Sequence, residues 1–343
     1  MSASVIARRL AAQHLARPAS HTAAGVVAWF GAVQAQEYGP ARWGIGQRAK
    51  GLTDAGVARA FDAGDILRTH IMRPTWHFVA PQDIRWMQAL TGPRVRAASG
   101  SVLRANELDA RLLARSRAVI ARALEGGTFL TRQEIRAALA RGRIVAETQR
   151  LAYIVMDAEL DALICSGPRR GSQFTYALVD ERAPRAATKD PDESLGELAV
   201  RYFQSHGPAT VRDFVWWSGL TVREARQAVD IARLAKRDQD GIDYWSVPGD
   251  RTVARAGASA HLLPIYDEYV NAYRDRGLLF TSPPGDALFM HYLIVDGRYA
   301  GTWRPSENGS GSVTISAGAR LSATQKAALA AAVERHAAFY ARG

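Results

Sequence analysis

Along residues 4–90 the apolar positions change period once, which predicts helices followed by a pair of strands. Val5, Ile6, Leu10 and Leu15 recur at helical spacing up to Arg17-Pro18. A second helical run, residues 21–34, carries Val26, Val27, Trp29, Phe30 and Val33. It leads Gln34 and Gln36 into Gly39-Pro40, a pair at which a helix is expected to stop. Residues 53–63 make a third helical run, and ILRTHIM and TWHFVA then read as short extended segments joined through Arg73-Pro74. Two positions apart, Gln34 and Gln36 cannot share one buried helical stripe, yet in the last turn or just beyond it both can face a cleft. The plainer alternative is a polar helix end, with both amides solvated or bonded to terminal carbonyls.

The same order returns further on. A linking helix over 107–124 leads to FLTRQEIRAAL, where Thr131 and Glu134 form a capping box. A longer helix over 147–164 follows, and LICSGPRRGSQFTYALV alternates as a hairpin with Arg169 and Arg170 at its tip. The polar stretch 189–197 reads as a linker running into a second box, Ser194 with Glu197. That helix breaks at Gly207-Pro208, a third box pairs Thr221 with Glu224, and IDYWSVPGDRTV completes a third unit. From residue 259 the strands ALFMHYLIV and RYAGTW are joined by Asp296-Gly297, SVTIS adds another, and a closing helix starts at Ser322/Gln325. Three helices and a hairpin is the winged-helix order. The expected fold class is therefore α+β, mainly α: tandem winged-helix (helix-turn-helix plus β-hairpin) domains with a C-terminal β-containing segment. The boundaries are 1–105 for the first winged helix with its Gln-x-Gln motif, 106–188 for the second and 189–258 for the third. Residues 259–343 form strands and a helix packed on the repeats.

Charge narrows the partner. With 44 Lys and Arg against 33 Asp and Glu, the net charge is +11 and the pI about 10.1, which favours a polyanion, nucleic acid first. An anionic membrane would call for a basic amphipathic helix, but the arginines are spread along the chain. No apolar run approaches the roughly 18–20 residues that span a bilayer. The lone Cys165, in the apolar stretch ALIC, excludes an intrachain disulfide and reads as packing. The chain reads as cytosolic; the arginine-rich start, without an acid before Glu37, is taken as a first helix and not a transit peptide. The eight histidines show no metal-binding spacing, so no metal and no cofactor is expected, and GIG at 44–46 lacks the rest of a dinucleotide fingerprint. Asp267 and Glu268, being adjacent, should diverge and serve a structural or interdomain role.

VQAQ at 33–36, ARWGIGQR at 41–48, residues 67–87, HLLPIYDEYVNAYRDR at 261–276 and IVDGRYAGTWR at 294–304 together resemble the AlkZ-like winged-helix DNA glycosylases. This bacterial family excises alkylated purines and unhooks interstrand crosslinks. The resemblance implies that Gln34 and Gln36 carry catalysis, and the Gln-x-Gln form looks like the branch associated with resistance to crosslinking natural products. It implies a monofunctional enzyme without lyase activity, since the nearest lysine in sequence is Lys50. The expected partner is double-stranded DNA containing alkylated purines or crosslinks, bound by a cytoplasmic, nucleoid-associated monomer. Arg42, Arg48, Arg68 and Arg73 flank the pair and are candidate backbone contacts, as are Arg169 and Arg170 at the hairpin tip; each could instead be surface charge. His77 is carried over as a contact, with a core or hairpin role as its alternative. Trp43 and Trp76 either line an open cleft or belong to the core. The rival function is a non-catalytic winged-helix DNA-binding regulator or drug-resistance protein.

Overall fold

The computed structural model describes residues 2–185, 189–249, 257–280, 289–306, 311–318 and 320–341. It is a mixed α/β structure with more helix than strand, and the chain divides into two compact units. The first comprises 1–59, 195–217 and 221–343; the second comprises 60–194 with 218–220. Residues 250–253 of IDYWSVPGDRTV and 287–288 of ALFMHYLIV lie outside the described residues. Among the described residues no helix is long and apolar enough to cross a membrane.

The first unit is built on a four-stranded antiparallel sheet, in the order Val313–Ala317, Arg298–Pro305, Tyr292–Val295, Ala260–Leu263. Tyr292 stands opposite Thr302 on one side and Leu263 on the other. Asp296 and Gly297 turn the central hairpin with φ of +51° and +77°, the left-handed pair that a two-residue loop demands. The Ser2–Ala12 helix lays Ile6 and Leu10 on this core beside Leu263, Tyr269, Tyr292 and Ile294. The closing helix, Ala323–Ala341, starts at the Ser322/Gln325 box as read. It buries only Ala332, His336 and Phe339, with His336 wedged between the rings of Trp43 (4.9 Å) and Trp303 (5.0 Å).

The glutamine segment departs from the expected course. Its helix is Ala23–Phe30, capped by the Thr22 hydroxyl, which accepts from the Gly25 amide at 3.0 Å. It ends at Gly31, whose φ of +77° only glycine adopts without strain. Ala32–Gln34 is a short strand, and a new helix, Tyr38–Gly46, begins before Gly39-Pro40. The Gly-Pro pair therefore opens a helix instead of closing one. Pro40 stands in the first turn, where its missing N–H is not needed and its fixed φ is already helical.

The second unit holds the Leu67–Ile71/Arg73–Val79 hairpin, turned at Met72 and pairing His70 with Trp76. Two helices, Ile84–Ala98 and Gly100–Ala105, occupy a stretch that the apolar pattern left without an element. A separate core joins Ile120 and Leu124 of Ala110–Leu124, Ile135 and Leu139 of Arg132–Arg141, and Leu151 and Ile154 of Thr148–Leu160. Against it packs a three-stranded sheet in the order Leu130–Thr131, Thr175–Leu178, Ile164–Ser166. The Thr131/Glu134 and Thr221/Glu224 boxes form as read. Ser194 does not cap: that helix starts at Pro191, with the Asp190 carboxylate accepting the Asp192 amide at 2.8 Å. A proline at the first helical position outranks a serine three residues later. Cys165 is fully buried, which pushes its thiol up to about 12.

Candidate active site

Gln34 and Gln36 lie in the extended connection between the Ala23–Phe30 and Tyr38–Gly46 helices. Both are half-buried, while Ala35 between them is fully buried. Gln34 closes the short strand and Gln36 lies at a bend two residues on, so neither amide belongs to a helix face. Glu268 anchors this connection: its Oε1 accepts the Gln34 backbone N–H at 2.7 Å, although the carboxylate is only 3% exposed. Oε2 accepts from Trp217 Nε1 at 3.1 Å and lies 3.3 Å from His206 Nε2. Burial lowers the His206 pKa, and Arg48 adds to the effect against the pull of Glu268, so this contact joins a neutral imidazole to a carboxylate.

What positions Glu268 is its neighbour. Asp267 caps the short Glu268–Asn271 helix, its Oδ1 accepting the Tyr269 amide at 2.9 Å. Both Asp267 oxygens also receive Arg48, and Arg48 further donates to Gly44 O and Gln13 Oε1. The adjacent acids thus diverge, one toward Arg48 and one toward Gln34. Just before them Tyr266 has φ +62°, a conformation costly for a bulky residue and tolerated where surrounding structure over-determines it. Gln34, Tyr266, Glu268, Gly44 and Arg48 line a small space of only about 10 Å³.

The arginines fall into different classes. Arg48, expected at a DNA backbone, is 2% exposed, with both terminal nitrogens bonded to Asp267. Arg42 is partly exposed, paired with Asp54 at 2.7 Å and set over the Tyr38 ring at 4.8 Å. In the second unit Arg68 is buried between the rings of Trp76 (4.4 Å) and Phe174 (4.7 Å). Phe174 also carries Arg169 at 5.1 Å, so Arg68 and Arg169 are brought together on one ring. Arg73 is half-buried, and Arg170 is exposed, bonded to Glu134 at 2.8 Å and to Phe129 O at 2.7 Å.

A family model of the AlkZ-like DNA glycosylases matches residues 27–339, nearly the whole chain. The chain belongs to the AlkZ-like DNA glycosylase family. A curated relative, the interstrand DNA cross-link repair glycosylase of Streptomyces sahachiroi, is 26% identical over 223 residues, or 63% of this chain. The matched part spans 60% of that relative's length. The solved structure of Streptomyces sahachiroi DNA glycosylase AlkZ has the same fold, with a TM-score of 0.84 at 21% identity, covering 98% of this chain and 96% of the other.

In this AlkZ-like chain His77 is fully buried in its hairpin, with Nδ1 3.0 Å from Thr75 O. Trp43 is core, donating to Leu262 O at 2.7 Å, while Trp76 stays partly exposed against His70. Sequence reasoning gave Glu268 a structural role without its partner, and missed His206 and Trp217 as the rest of the scaffold of the glutamine connection. The only available signal was that Glu268 sits in a segment matching the family. Among the described residues there is no group of three His, Cys, Asp or Glu side chains that could hold a metal ion.

Proposed function

We propose that this protein is a monofunctional DNA glycosylase that excises N7-alkylated purines from duplex DNA, unhooks interstrand crosslinks, and works as a cytoplasmic monomer. The single observation that carries this reading is the Gln34-Ala35-Gln36 connection, with both glutamines half-buried and the Gln34 backbone amide bonded to buried Glu268. Alkylation at N7 makes guanine cationic, so the base is a good leaving group before any protein acts. Breaking the N-glycosidic bond leaves an oxocarbenium-like sugar that needs one oriented water. An amide carbonyl can accept a hydrogen bond from that water and place partial negative charge near the sugar without titrating. Gln34 and Gln36 divide these two tasks. A neutral amide stabilises a cation less than a carboxylate does, so neutral bases are poor substrates.

A base tethered to the opposite strand cannot swing fully into a deep pocket, so in this reading the lesion is met outside one. That relative in Streptomyces sahachiroi is named for interstrand cross-link repair, and this chain is assigned the same substrate class. In this reading residues 1–105, 106–188 and 189–258 act as winged-helix modules, with 259–343 packed on them. The phosphate contacts come from the accessible arginines Arg42, Arg73, Arg169 and Arg170.

A duplex containing N7-methylguanine tests the proposal. Free base and an abasic site are expected from the wild type, with excision lost by orders of magnitude in Gln34→Ala and Gln36→Ala while DNA binding persists. Intact DNA with a gel shift would instead favour the regulator or drug-resistance reading. Equal turnover by wild type and both variants would remove the site assignment. Borohydride should trap no covalent complex.

A further inference from the structure

The first unit contains a cavity of about 720 Å³ that the glutamine site does not use. Its walls come from the Ser2–Ala12 helix, strands Ala260–Leu263 and Tyr292–Val295, and the closing helix. Ile6, Leu10, Trp43 and Leu262 supply apolar surface, and Ala328 and Ala332 of the closing helix leave room where larger residues would fill it. A volume in this range suits a small organic ligand.

Two buried polar side chains border the cavity, each with a nitrogen that makes no hydrogen bond. His261 is 6% exposed and Gln47 9% exposed, and the Nε2 atom of each has no partner among the described residues. A buried unmade hydrogen bond is costly, and such groups call for an explanation. The charges around them have one dominant sign. Arg298, Arg320 and Arg335 line the cavity against the single acid Asp296, whose oxygens accept from the Ser259 amide at 3.0 Å and Gln325 Nε2 at 2.9 Å. Arg298 and Arg335 each give one donor to a backbone carbonyl, Leu278 O and Ala260 O, both at 3.1 Å, and the excess of positive charge along the wall makes an anionic acceptor the complement that fits it.

We propose that this cavity is a binding site for a small apolar carboxylate, its body against Ile6, Leu10, Trp43 and Leu262 and its carboxylate toward Gln47, His261 and Arg335. Burial, with Arg335 and Arg48 adding positive potential, holds the His261 pKa down to about 3, and a bound carboxylate would draw it upward. This site is independent of the glycosylase reading, although Trp43 and Gln47 lie on the helix that follows Gln34 and Gln36 and at its C-cap.

The test is titration of the full chain with pyrenebutyrate and with its neutral counterpart pyrenebutanol, followed by calorimetry. Saturable one-to-one binding of the acid on the order of micromolar is expected, about tenfold or more tighter than the alcohol. Ala328→Trp, which fills the cavity, should abolish it, and Ala331→Phe serves the same purpose if that variant does not fold. Arg335→Gln should weaken the acid about tenfold and leave the alcohol unchanged. In the wild type the His261 ring resonance should titrate at higher pH with pyrenebutyrate bound. No saturable binding, equal affinity for acid and alcohol, or undiminished binding in both filled variants would each overturn the proposal.

Discussion

Arg48 and Asp267 meet fork to fork inside the first unit, with N–O distances of 2.7 and 2.8 Å and both side chains almost wholly buried. Removing one member of a buried, hydrogen-bonded pair leaves the other charge without compensation, which costs about 3–5 kcal/mol. Arg48→Met and Asp267→Leu should each lower the unfolding free energy by that order. The double variant should lose less than the sum, because it leaves neither charge stranded. Denaturant unfolding of the four proteins measures the cycle; additive losses would mean that the two side chains are not coupled.

Glu268 lies one residue further on and acts on Gln34 through its backbone. Glu268→Gln keeps the shape but leaves one acceptor oxygen for two donors, so its NH2 faces either the Gln34 amide or Trp217 Nε1–H and the bond that remains is a weaker neutral one. The expected outcome is a kcat for N7-methylguanine excision reduced roughly 10- to 100-fold, with KM and DNA affinity nearly unchanged. Single-turnover excision and a binding titration separate the two effects. A variant that loses binding and keeps kcat would assign Glu268 to the DNA interface instead.

These two pairs show what the chain discloses before folding. Local signals were legible: Thr131/Glu134, Thr221/Glu224 and Ser322/Gln325 cap their helices, and Asp296-Gly297 turns its hairpin, because both partners sit within a few residues. Gly39-Pro40 was ambiguous in principle, since proline is excluded from a helix interior but suited to its first turn. Nothing local distinguishes Arg48 from Arg42. One is buried only because Asp267, 219 positions away, meets it, and that pairing belongs to the fold and not to the pattern. Gln34 and Gln36 were recognised by family resemblance, whereas Glu268, 234 positions from Gln34, required coordinates.

Packing at the closing helix gives a separate check. A Cβ on Gly46 would lie 2.3 Å from the Phe339 ring, and that ring is buried. Gly46→Ala should therefore destabilise by about 1–3 kcal/mol despite alanine's better helix propensity. Adding Phe339→Leu should recover part of the loss. Thermal unfolding of the three proteins decides it, and a neutral Gly46→Ala would mean that the closing helix shifts freely.

At the hairpin tip, Arg170 is exposed and held toward Glu134, and Arg169 lies over Phe174. If both meet phosphate, Arg169→Ala and Arg170→Ala should each reduce the slope of log K against log salt by about one, with little change in base preference. Binding isotherms of an undamaged duplex at several salt concentrations measure this. An unchanged slope would move the phosphate contacts to Arg42 and Arg73.

Acid should unfold this protein through its histidines. His14 and His291 are held down to about 4 and His261 to about 3, in each case chiefly by burial, and His206 is lowered as well. Above pH about 6.5 these groups are neutral in both the folded and the unfolded chain, so they make stability no more dependent on pH. Below it the unfolded chain takes up protons that the native state refuses, and stability falls as pH drops toward the folded values near 4 and 3. Unfolding midpoints measured from pH 7.5 to pH 4 should therefore decline most steeply below about 6.5. His261→Gln and His291→Gln should flatten that decline, since neither replacement can bind the proton; a slope unchanged in both would place the acid sensitivity elsewhere.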